Sequence, residues 1–81
     1  MTDYLEDVKK LISDQFGIAQ DDIEEDSFLE ADLNIGDLDL EDFIENIQDK
    51  YQIQIPPEKV ATFKKVSDIV SYLFENVENT V

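Results

Sequence analysis

Eighty-one residues are enough for one small domain with a marginal core, and not for two. The chain has no cysteine and no histidine, which excludes disulfides, thiolate chemistry, Cys- or His-ligated metal and the commonest general base. Twenty-one acids against six lysines give a formal charge of −15. That charge disfavours nucleic acid and anionic membrane surfaces and favours basic patches on other proteins, unless the acidity serves solubility alone.

The amino-terminal "MTDYLEDVKK" is acidic and amphipathic and lacks the positive start and apolar run of a secretory signal. No stretch approaches membrane-spanning length, so a cytoplasmic protein is expected. In the first helix, Tyr4, Leu5, Val8, Leu11, Ile12 and Phe16 recur at spacings of three and four, one apolar stripe over about residues 3–16. Asp3 is placed to cap it, with Glu6 three residues on in a capping-box arrangement, and Gly17 to end it in a left-handed turn.

Residues 18–36 are acidic and show no single period. The reading is an ordered crossing segment, with a short turn of helix, pinned by Ile18, Ile23, Phe28, Leu29, Leu33 and Ile35. A second helix begins between Asp37 and Asp39, either of them its expected N-cap, and carries Leu40, Phe43, Ile44, Ile47 and Tyr51 on one face. Ile53 and Ile55 alternate, but a lone strand has nothing to pair with, so an extended link is expected. Pro57 suits the first turn of a short third helix reaching about Thr62, with Val60 and Phe63 turned inward. The last helix carries Val66, Ile69, Val70, Leu73 and Val77, with Ser67 a cap only if that helix starts late. The tail "ENVENTV" is expected to fray. The sum is an all-α fold in one domain over 1–81, a small bundle of three longer helices and one short one, expected as a monomer.

The run "DSFLEADLNIGDLDLEDFIENIQDKYQIQIP" resembles the acyl carrier protein family, in which a Ser or Thr and a Phe lead to Asp-Leu-Gly-Ala-Asp-Ser-Leu-Asp, an acidic helix and Ile-Pro. Ser27 and Phe28 match the lead-in, with one residue more before the Asp-Leu than some members show. Asp32-Leu33, Leu38-Asp39 and Ile55-Pro56 match without a gap, and "FKKVSDIVSYL" is similar to the family's final-helix entry. The resemblance implies a four-helix bundle and a serine at the start of the second helix that receives 4′-phosphopantetheine, whose thiol carries acyl intermediates. It also implies an acidic helix that docks on basic patches of partner enzymes.

The match departs at its centre. Asp37 stands where the modified serine belongs, Gly36 where an Asp precedes it, and Asn34-Ile35 replace Gly-Ala. An aspartate there is a weak nucleophile, its acyl-phosphate product would hydrolyse, and its charge opposes an incoming phosphate. A helix N-terminus suits a carboxylate as it suits a phosphate, so Asp37 is either a phosphate stand-in or an ordinary N-cap. No bound cofactor is therefore expected.

Asp39, Glu41, Asp42, Glu45 and Asp49 are the candidate partner-binding residues, with Asp42 and Asp49 at usual recognition positions. Gln48 replaces a further acid, and Glu41 and Glu45 fall where apolar contacts are common in the family. The bland reading is a solvated face. The expected function is a non-enzymatic carrier-like protein of fatty-acid, polyketide or related acyl-thioester biosynthesis, unable to hold the arm and acting by contact. The alternatives are a working carrier, with Asp37 a serine substitution or the match misplaced, and an acidic structural or cation-binding module. The acids Asp32, Asp37, Asp39 and Asp42 lack an EF-hand layout, so no metal site is assigned.

Overall fold

The computed structural model describes residues 3–77. Local chemistry sets the first helix, α1 (Tyr4–Phe16). Asp3 accepts the Glu6 amide at 3.2 Å, while the Glu6 side chain turns instead to Lys9 at 3.6 Å, so the capping box is made on one side only. Gly17 takes φ 71° and its N–H donates to the Ser13 carbonyl. Tyr4, Val8 and Ile12 are buried, and Leu5, Leu11 and Phe16 pack against the core edge.

The crossing segment is ordered, as its scattered apolar residues predict. It holds one 3₁₀ turn, Gln20–Asp22, and buries Ile23, Leu29, Leu33 and Ile35, with Ile18 half-buried. Phe28 is the exception. The apolar pattern predicts that it pins the loop inward, but it is 46% exposed. Phe28 and Lys65 form an isolated antiparallel bridge, and the Lys65 ammonium lies 5.0 Å from the Phe28 ring centre. Extended backbone turns neighbours to opposite sides, so Leu29 takes the core and Phe28 the surface.

Asp32 closes this loop. Its carboxylate accepts the Phe28 amide at 2.8 Å, and the Ile35 amide donates to the Leu29 carbonyl at 2.8 Å. The closed loop delivers the chain to α2 (Asp37–Tyr51), which buries Leu40, Phe43, Ile44 and Ile47. Gln52 ends α2 in the left-handed region, φ 55°. An extended link follows, held where the Ile55 amide donates to the Gln48 side-chain oxygen at 2.8 Å. Next is α3 (Pro57–Val60), shorter than the sequence predicts: Ala61 and Thr62 continue as a turn, with Phe63 buried behind them.

The last helix, α4 (Val66–Val77), packs against α1 and buries Val66, Ile69 and Leu73. It starts too early for Ser67 to cap it. Asp68, the third helical residue, reaches back instead: its carboxylate accepts the Lys64 and Lys65 amides just before the helix at 2.8 and 2.9 Å. The Val66 and Ser67 amides donate to the carbonyls of Ser27 and Glu25, so the crossing loop caps α4 from the far side of the chain. The expectation of a frayed tail falls partly on helical Glu75–Val77; residues 78–81 lie outside the described residues.

Candidate functional site

The candidate site is the amino end and outer face of α2. Neither Asp37 nor Asp39 caps the helix. The cap is Gly36, extended at φ −79° and ψ −176°, and its carbonyl accepts the Leu40 amide at 2.9 Å. Asp37 is thus the first helical residue, where its side chain is poorly placed to reach the amides of the second and third. Among the described residues its exposed carboxylate makes no hydrogen bond and no ion pair. A second acid stands close: a Cβ added at Gly36 would lie 3.8 Å from a Glu30 carboxylate oxygen. The helix contains no serine or threonine at all.

All the candidate acids are exposed, but they do not form one patch. Asp37, Glu41 and Glu45 recur every fourth residue along one face, with Asp42 beside them, and these four edge a groove of about 960 Å³ between α2 and α3. Asp39 and Asp49 lie off it. Lys64 and, from α3 and the turn after it, Val60 and Ala61 also line it, with exposed Leu38 and the buried Leu40, Ile44, Ile55 and Phe63 behind. Both ion pairs found among the described residues, Lys9–Glu6 and Lys10–Asp14, are on α1, so the α2 carboxylates are uncompensated. No three acids among the described residues converge as a metal-ligand set would, and Asp32 is committed to its own loop.

Leu38, beside Asp37, is 80% exposed. In the sequence it stands only as a match to the family run. Its helical phase was the missed signal, because it falls outside the stripe of Leu40, Phe43, Ile44 and Ile47. The groove's α3 side and Lys64 had no such signal. At the other end of α2, the Tyr51 hydroxyl donates to the Asp7 carboxylate at 2.8 Å. Burial, and then this bond, push the Tyr51 phenol well above its ordinary range, so it acts as a neutral strut between α1 and α2.

Comparison with known proteins fits this geometry. The family described as "Phosphopantetheine attachment site" matches residues 6–73. The acyl carrier protein of Chlamydia trachomatis serovar L2 is 32% identical over 71 residues, covering 88% of this chain and 92% of that protein. The acyl carrier protein of Clostridium perfringens (strain SM101) is 31% identical over 71 residues, covering 88% and 93%. That of Helicobacter hepaticus is 30% identical over 74 residues, covering 91% and 97%.

Proposed function

The chain belongs to the acyl carrier protein family, and from that premise we propose that it is a carrier homologue that does not take the phosphopantetheine arm and works by protein contact. The observation that carries this reading is Asp37: an exposed, unpartnered carboxylate opening a helix with no serine or threonine. The residues here do not fit the arm. Attachment needs a hydroxyl to attack a pyrophosphate, and the nearest upstream, Ser27, accepts the Glu24 amide within its own loop. Asp37 is not spent on capping, which leaves its charge available at the dipole-favoured end of α2, where the arm's phosphate would otherwise stand.

The partners in this reading are enzymes of acyl-thioester biosynthesis that present Lys and Arg patches. Asp37, Glu41, Asp42 and Glu45 meet them along the groove edge, and Asp39 and Asp49 add charge beside it. The protein acts as a cytoplasmic single-domain monomer with no catalytic residue of its own. Such docking weakens with salt, because exposed charges are screened within about 10 Å at 0.1 M.

Intact mass after incubation with coenzyme A and a broad-range phosphopantetheinyl transferase tests the proposal. The expected result is no mass gain for the native protein and gain of one arm for Asp37→Ser. An arm on the native protein would sink the reading and establish a working carrier. An Asp37→Ser protein that stays unmodified would show that the transferase-binding surface has changed along with the hydroxyl.

A further inference from the structure

Lysines carry all the side-chain positive charge of the chain, and Lys59, Lys64 and Lys65 are clustered in sequence. The fold gives the three different surroundings. The Lys65 ammonium lies 5.0 Å from the Phe28 ring centre, and Lys59 lines a separate cleft between α3 and α4 with Thr62, Ser71 and Tyr72. Lys64 is the one that lines the groove holding Asp37, Glu41, Asp42 and Glu45. Its side chain is exposed and makes no hydrogen bond or ion pair among the described residues. Its backbone is fixed at both ends: the amide donates to the Asp68 carboxylate at 2.8 Å, and the carbonyl accepts the Leu29 amide at 2.9 Å. The α2 residues thus make their part of the groove negative, while the segment after α3 adds an unspent positive charge on an anchored backbone.

We propose that Lys64 is a specificity residue for partner docking: it selects protein surfaces in which an acidic side chain borders the Lys and Arg patch that meets α2. The proposal rests on the reading that the protein works by protein contact, and it names the charge pattern of the partner. A surface broad enough to span the groove meets both signs. A uniformly basic surface gains at α2 but sets a like charge against Lys64. A basic row bordered by an acid gains at both. One exposed pair changes affinity by up to about fivefold, so Lys64 decides which partner docks and in which orientation, and the α2 acids supply the attraction itself.

Two synthetic helical peptides of identical composition test it. Both present a row of lysines along one face. One places a pair of glutamates beside that row, and the other places them on the reverse face. Amide chemical-shift titrations of the full chain give both affinities. The native protein should bind the bordered peptide about threefold more tightly. Lys64→Gln should make the two affinities equal, and Lys64→Glu should reverse their order. Lys59→Gln and Lys65→Gln remove the same charge outside the groove and should keep the native preference. Lys64 is bonded through its backbone alone, so its substitutions leave those bonds in place, with helicity checked by circular dichroism. A preference that survives Lys64→Gln would overturn the proposal. So would its loss in both Lys59→Gln and Lys65→Gln, which would trace it to overall charge. Equal, salt-sensitive binding of both peptides by the native protein would leave docking standing and remove the role of Lys64. Binding of neither peptide would overturn the docking reading together with the proposal.

Discussion

Replacing Asp37 by alanine separates a structural carboxylate from one left free for a partner. A true N-cap aspartate costs about 0.5–2 kcal/mol when truncated to alanine. In the structure Gly36 holds the cap position, and the Asp37 side chain accepts no hydrogen bond. What remains is its attraction to the helix dipole, roughly 0.3–1 kcal/mol at low salt for an exposed group. Against that stands the relief of removing one negative charge from a chain of net charge −15. The two have opposite signs, so Asp37→Ala should lie within about 0.5 kcal/mol of the native protein, or about 2–4 °C in Tm for a domain this size. Urea unfolding followed by circular dichroism measures this. Asp3→Ala provides the scale, because Asp3 does cap α1 through the Glu6 amide at 3.2 Å and should cost about 1 kcal/mol. An Asp37→Ala loss equal to or larger than that of Asp3→Ala would refute the placement of Asp37 as a free first-turn residue, and with it the main support for its role toward partners.

Asp68→Ala removes the carboxylate that accepts two amides at the start of α4 and should cost about 2 kcal/mol, well above Asp37→Ala in the same urea series. Tyr51→Phe should cost about 1 kcal/mol at neutral pH through the lost bond to Asp7. Because the folded protein holds the Tyr51 proton more tightly than the unfolded chain, that contribution is complete below the ordinary phenol value of 10.0 and declines as pH rises above it. The native and Tyr51→Phe stability curves should therefore converge in alkali, and curves that stay parallel would count against the buried strut. The melting temperature should rise with added salt, since the acids of α2 repel one another without ion pairs. Magnesium should act only through its ionic strength, because no three acids among the described residues converge; a large millimolar effect beyond a matched sodium series would contradict this.

The helices were legible because their signals are local. The stripe from Tyr4 to Phe16, the Asp3 cap, the left-handed Gly17 and the opening Pro57 each act over three or four residues, and each stands in the structure as its spacing predicts. The crossing segment was legible only in part. Isolated apolar residues implied that it is pinned, but the choice of Leu29 over Phe28 for the core depends on the bridge to Lys65, a residue distant in sequence. The candidate site divides in the same way. The acids of α2 are legible as a charged helix, whereas Glu30 comes beside Gly36 only in the folded chain. The sorting of the α2 acids into a groove edge, with Asp39 and Asp49 left outside, required the position of α3.

The sequence by itself determined the all-α character, the family and the absence of any serine or threonine on the second helix, because composition, periodicity and motif spacing are properties of one segment at a time. Only the tertiary structure decided how the helix ends are satisfied and what faces the α2 acids. The cap of α2 fell to Gly36 because the loop closed by Asp32 sets the backbone entering the helix. The first amides of α4 fell to the carbonyls of Ser27 and Glu25, some forty residues upstream. An apolar stripe states that a face is to be buried. Which element covers it, and where that cover leaves a groove, is settled when all the helices pack at once.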